Sequence, residues 1–269
     1  MKLPNAPTFS PVRLLQDITE WARKVVQAFN SSADTLDNIY DGTNIIVGTN
    51  TTSDVIAGGG KFGNESGGDY SEFEDDGTLI FHGDATVWDD LRVEPTVKSA
   101  GTNDPTYSKW LDNGSGSRGV SLYDFTDVIT ASQKEIYFTA QLPHAWKGTV
   151  IYPHVHWIPG AAGSSQRPVW GLEYTWADIG TVFGNTTIIY TNALVPNDTN
   201  LVQNKHYISN FSSGITPSTS QDGISSVLIC RLFRYSGDAS DTFTGTCGLM
   251  YIDIHFEIDT LGSRSEYTK

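Results

Sequence analysis

Tyr152-Pro153-His154-Val155-His156-Trp157 is the sharpest chemical signal in the sequence. In a strand, alternate side chains share a face, so His154 and His156 project together about 6–7 Å apart, as two ligands of one metal ion must. The same two imidazoles serve equally well as structural hydrogen-bonding groups on a polar or interface face. Both readings stand, and Asp253 or His255 could complete a ligand set. Paired carboxylates are the next candidates, because a glycosidase needs two of them about 5–10 Å apart around a sugar. Asp75, Asp76, Asp89, Asp90, Asp253, Glu257 and Asp259 could supply such a pair, but with a net charge of −14 they read first as solvated surface. GxSxG, GxxxxGK[ST] and HExxH do not occur, so serine hydrolase, P-loop and zincin chemistry lack their signatures. The chain reads as non-enzymatic, with no catalytic residue assigned.

The elements that must position these groups are strands. Ile136, Phe138, Ala140 and Leu142 alternate with Tyr137, Thr139 and Gln141; Trp170, Leu172, Tyr174 and Trp176 alternate with Gly171, Glu173 and Thr175. In the last strand Met250, Ile252, Ile254, Phe256 and Ile258 face one way, and Tyr251, Asp253, His255, Glu257 and Asp259 the other. Period-two runs cut by Gly, Pro, Asn and Ser clusters predict a mainly β fold, an antiparallel β-sandwich. Roughly eight strands over about 190 residues, with long loops, favour a jelly-roll-like head. Trp146, Trp157, Trp170 and Trp176 belong in its core. Tyr107, Trp110 and Phe211 read as loop residues open to contacts, and residues 113–117 as a hairpin turn. Cys230 and Cys247 read as small buried residues on neighbouring strands.

The N-terminal part differs. Pro4, Pro7 and Pro11 keep residues 1–11 extended, and Ser10-Pro11 is a helix start. Leu14, Ile18, Trp21, Val25 and Ala28 then follow the 4-3-4-3 spacing of a coiled-coil seam, which continues through Ser32, Thr35 and Ile39. Leu15, Ala22, Val26, Phe29 and Leu36 widen that face, so the helix must pack on something. Trp21 is bulky for a tight coil and also suits docking into a groove of another protein. Three domains follow: a peptide and attachment or oligomerisation helix over 1–40, a Gly-rich acidic linker over 41–77, and the β-sandwich over 78–269.

Composition narrows the partners. The 269 residues are 38% apolar and 12% aromatic, enough for a real core. Lysines and arginines number 17 against 31 acidic residues and are scattered singly, which disfavours nucleic acid. No apolar run approaches the ~20 residues of a membrane span, and MKLPNAPTFSP carries no signal-peptide core, which points to synthesis and assembly in a cytoplasm.

Four stretches, DGTLIFHGDATVWDDLRV (76–93), LDNGSGSRGV (111–120), IYFTAQLPHAWKGTVIYPHVHW (136–157) and YIDIHFEIDTLGSRSEYTK (251–269), together resemble structural proteins encoded among the virion genes of tailed bacteriophages, fibre-, spike- or decoration-like. LPNAPTF with the helix after it is similar to the particle-binding ends of short-tailed phage fibres. The resemblance implies a virion component assembled in the bacterial host cytoplasm. It would be attached to capsid, portal/collar or tail, with a homotrimer as the usual state of such fibres. It supplies no catalytic residues. A host-receptor module binding glycan at the cell surface is a special case of the same body. In trimeric phage spikes an HxH from each of three chains can surround one ion on the axis. The spacing Gly148-x5-His154-x-His156 also resembles the cupin metal motif, and His206-x3-Asn210 its second half. However, 158–162 is Ile-Pro-Gly-Ala-Ala where the cupin glutamate belongs, which puts a cupin-like metalloenzyme behind the other two readings.

Overall fold

The computed structural model describes residues 18–27, 60–95, 97–98, 103–127, 133–198 and 200–269. The chain divides into two compact units, 1–60 with 73–77, and 61–72 with 78–269. In the first, residues 18–27 form a helix (α1) that carries Ile18, Trp21 and Val25 of the expected seam. Trp21 and Val25 are half-buried, Ile18 and Val26 exposed. Lys24 and Glu20 pair at 3.2 Å across one turn. Leu14, Ala28 and the rest of the 4-3-4-3 run, and Phe29 of the second stripe, lie outside the described residues. Among the described residues no helix is long and apolar enough to cross a membrane.

The second unit is all β. A three-stranded sheet runs β1 (Gly60–Asn64), β2 (Asp69–Phe73), β3 (Leu79–His82). Part of the segment that reads as a spacer therefore carries strands, and 61–72 group with the β-rich residues that follow Thr78. Gly68 makes this local structure possible, closing the turn between β1 and β2 at φ +87°, where a Cβ is disfavoured. Residues 41–59 lie outside the described part.

Then come β4 (Val87–Val93), β5 (Val97–Lys98), β6 (Thr106–Asp112), β7 (Gly119–Phe125), β8 (Glu135–Gln141), β9 (Tyr152–Pro159), β10 (Gly163–Ser164) and β11 (Trp170–Ala177). The series ends with β12 (Thr187–Val195), β13 (Asn200–Leu201), β14 (Tyr207–Phe211), β15 (Val227–Arg234) and β16 (Cys247–Ile258). Apart from the small β10–β13 pair, they join in one curled antiparallel sheet, β5-β8-β15-β11-β12-β14-β9-β16-β7-β6, with β4 also on β16. β12 turns the corner: Thr187–Tyr190 pair with β11, and from Thr191 the strand pairs with β14, with an irregularity between Thr191 and Ala193. This folds the sheet on itself as a jelly-roll-like β-sandwich, as the alternation predicts.

The two layers meet through aromatic side chains. Trp170 of β11 lies 5.0 Å from Phe125 of β7 and 6.5 Å from Trp157 of β9, which in turn stacks on Tyr207 of β14. Ile136, Phe138 and Ala140 of β8 and Leu228, Cys230 and Leu232 of β15 fill one side; Val155 of β9 and Ile252, Ile254 and Phe256 of β16 fill the other. Trp157 Nε1 donates to Ser209 Oγ and Trp176 Nε1 to Ser226 Oγ, so these rings bury their apolar area without stranding a donor. Each fully buried ring of this size contributes about 1.5–3 kcal/mol. Trp146, Trp157, Trp170 and Trp176 are all core, as expected. Cys230 and Cys247 are buried free thiols, pushed up to about 12 by burial. Their strands β15 and β16 belong to different parts of the curl and are not paired neighbours.

Candidate functional site

The face of the β9–β16 layer turned away from the core is where polar chemistry collects. β16 sits between β9 on one edge and, on the other, β7 followed by β4. A register shift between Leu249 and Tyr251 sets its phase. Leu249 points into the core and Met250 is 37% exposed, which corrects the sequence-based placing of Met250 with Ile252. From Tyr251 onward the alternation holds, so Tyr251, Asp253, His255 and Glu257 share the outer face. The register sets Asp253 opposite His154 on β9 and Arg92 on β4, and His255 opposite Tyr152 and Asp90. β14 sets Ile208 opposite His156 and Asn210 opposite His154.

His154, His156, His206 and His255, four of the six histidines, therefore gather around one carboxylate. Asp253 is 4% exposed. Its Oδ2 lies 3.0 Å from His156 Nε2 and 3.4 Å from His255 Nε2; its Oδ1 lies 3.5 Å from His154 Nδ1. His156 Nδ1 continues the chain to His206 Nε2 at 2.9 Å. A carboxylate only accepts, so His156 donates from Nε2, and a neutral His156 then receives the His206 N–H at Nδ1. His255 also meets Asp90 Oδ1 at 2.8 Å and presents its ring edge-to-face to His154, centroids 4.1 Å apart. Tyr251 stacks on His156 at 4.2 Å and carries the Arg92 guanidinium at 4.4 Å on its ring.

The electrostatics follow from this packing. Burial alone would raise the Asp253 carboxyl, but the adjacent His154 and His156 outweigh it and hold the group well below the usual carboxylate range. Burial and the neighbouring His156 push His206 down, against the pull of Asp253. Asp253 Oδ1 and His154 Nδ1 are nevertheless buried without a hydrogen-bond partner, as is Asn210 Oδ1 across from His154.

The two sequence-predicted ligands thus lie on one face, but with different partners. His154 joins Asp253 and His255 in a group whose ligand atoms all lie within 4.8 Å of one another. His156 is committed to Asp253 Oδ2 and His206. Asp253 is not the solvated acid that the charge balance suggests, because β9 and β4 pair with β16 on its two edges. Glu257 is held by Lys147 and Thr149, Asp259 by Lys269, and Asp89 and Asp90 are exposed. No local pattern marks Asp90 and Arg92 as neighbours of the histidines, since only the β4–β16 register brings them there.

The expected contact residues separate. Tyr107 is exposed on β6 beside Tyr123, and Trp110 is half-buried with its Nε1 donating to Asn204 Oδ1. Phe211 is buried in β14 rather than looped out. Residues 113–117 form the β6–β7 hairpin turn as expected, with positive φ at Gly114 and Gly116. Elsewhere a polar recess is lined by Arg167, Asn192, Asn197, Asp198, Ser240 and Thr242.

No family model and no curated protein matches the chain. Among solved structures, the structure of infectious bursal disease virus Gx strain aligns with 11% identity and a TM-score of 0.28 over 76% of this chain. The alignment covers 66% of that chain, just under two thirds of its length, and at this TM-score the likeness fixes neither topology nor role.

Proposed function

We propose that this chain is a non-enzymatic structural component of a tailed-phage virion, attached by its N-terminal segment to capsid, collar or tail and projecting the β-sandwich as a trimeric head. One observation carries the reading. Three of the stretches that bear the resemblance, 76–93, 136–157 and 251–269, are remote in sequence, yet their strands β4, β16 and β9 lie side by side. The outward side chains of these three strands therefore share one face, the kind of continuous surface that suits assembly or binding. An N-terminal helix with exposed Ile18 and Val26 suits a segment that gains its partner in the particle.

Deleting residues 1–40 is expected to abolish incorporation into particles while leaving the β-strand circular dichroism intact. Undiminished incorporation of the shortened chain would sink the attachment role. Light scattering of the full chain is expected to give three times the protomer mass, and a monomer would replace the fibre with a singly docked accessory subunit. Receptor binding is favoured as a second reading by the exposed Tyr107, packed on the half-buried Tyr123 of the β6–β7 hairpin, and by the polar recess at Arg167. Binding of the purified chain to whole host cells, lost on Tyr107→Ala, distinguishes it.

A further inference from the structure

We infer that His154, His255 and Asp253 form a binding site for one zinc-class divalent cation, with His156 and His206 holding the carboxylate in place. A tetrahedral ion about 2.0–2.1 Å from nitrogen and oxygen ligands sets those ligands about 3.3 Å apart. His154 Nδ1 stands 3.5 Å from Asp253 Oδ1, so one edge of that tetrahedron already has its length, and His255 Nε2 stands 3.4 Å from the other oxygen of the same carboxylate, Oδ2. The other two edges lie within 4.8 Å and close by small rotations of side chains whose rings already meet edge-to-face.

The second observation is independent of the spacing. Asp253 is 4% exposed and its Oδ1 has no hydrogen-bond partner; His154 Nδ1, facing it, has none either. A buried acceptor left unmet costs about 1–3 kcal/mol, more when charged. The 3.5 Å approach brings the two atoms within ion-pair reach but makes no hydrogen bond between them. A cation between the two atoms satisfies both.

The surroundings support the first ring of ligands. His156 Nε2 holds the remaining oxygen, Oδ2, at 3.0 Å, and His206 fixes His156 at 2.9 Å, the outer hydrogen bonding that orients a ligating carboxylate. Asp90 Oδ1, 2.8 Å from His255 Nε2, is exposed and free to swing to the ion or release it to water. Two imidazoles and one carboxylate select zinc, cobalt or nickel over magnesium and calcium, which prefer all-oxygen sets. Two other histidines make internal controls: His144 has both ring nitrogens engaged, by Ser225 and Ser263, and His82 is engaged by Glu72.

The full chain, stripped with a chelator and dialysed, is titrated with Zn2+ by calorimetry and with Co2+ by visible absorption. One ion per chain is expected, with the intense absorption of tetrahedral cobalt. His255→Ala, at a half-exposed position that tolerates truncation, is expected to lower affinity at least 100-fold, and His156→Ala about 10–100-fold through loss of support. His82→Ala and His144→Ala should bind as the wild type does. Zn2+ should also raise the thermal midpoint of the wild type but not that of His255→Ala. Absence of stoichiometric binding, or binding that survives His255→Ala unchanged, overturns the site.

Discussion

Asp241 and Asp253 are both buried carboxylates, and they have been treated in opposite ways. Asp241 faces Arg234, which is completely buried, in a bidentate pair at 3.0 and 2.8 Å, and also accepts the Val169 N–H. The remaining guanidinium hydrogens go to the carbonyls of Phe125, Gly245 and Phe243, so all five donors are used. Asp253 has three imidazoles around it, yet one oxygen is unmet. Arginine does not lose its proton, so the Arg234 cluster has a single charge state and ties β7, β15 and the 241–245 loop permanently. Histidines can change theirs, so the Asp253 cluster can exchange protons or ligands. The saturated cluster is architecture. The unsaturated one is where binding belongs.

The comparison predicts unequal costs. Asp241→Ala strands the Arg234 charge in the core and should lose about 3–5 kcal/mol of unfolding free energy in urea. Asp253→Asn keeps an acceptor for His156 and strands no arginine charge, so the loss should be about 1–2 kcal/mol. Equal losses would erase the distinction between the clusters. A smaller effect concerns acid. Asp253 is depressed from its ordinary 3.8, so its stabilising contribution is present above that pH and is lost as the pH falls through the folded-state value. Urea midpoints measured downward from pH 5 should fall more steeply for the wild type than for Asp253→Asn. Parallel curves would mean that the carboxylate is not held low by its imidazoles.

The alternation of β8, β9, β11 and β16 is legible in the sequence because it depends only on side-chain period, and it sets the fold class and the core places of Trp157, Trp170 and Trp176. His154 and His156 are legible as a pair for the same reason. What escapes is long-range. The bulge at Met250 leaves no mark in an otherwise regular run, so the residue is assigned to the wrong face. Asp253 reads as a surface acid because its burial depends on β4 closing one edge of β16 and β9 the other. Phe211 precedes Ser212-Ser213-Gly214 and so reads as a loop, although its pairing with Thr191 makes it strand. The strands within 60–73 are hidden by glycines that serve as turns. Local pattern finds the ligands, and only register shows which of them meet.

The smallest predicted effect is the most discriminating. Asp90 is the exposed member of the histidine cluster, its side chain 59% accessible, and it pairs at 2.8 Å with a half-exposed His255. Exposed pairs are screened by water and salt and contribute about 0–1 kcal/mol. Asp90→Ala in metal-free protein should therefore shift the urea unfolding free energy by less than about 0.5 kcal/mol, and less still in high salt. A loss above about 1.5 kcal/mol would show that Asp90, His255 and Asp253 act as one locked network of the Arg234 kind, with no freedom to admit a ligand. A near-neutral result leaves the rim of the cluster adjustable, as a site that must open to take up an ion has to be.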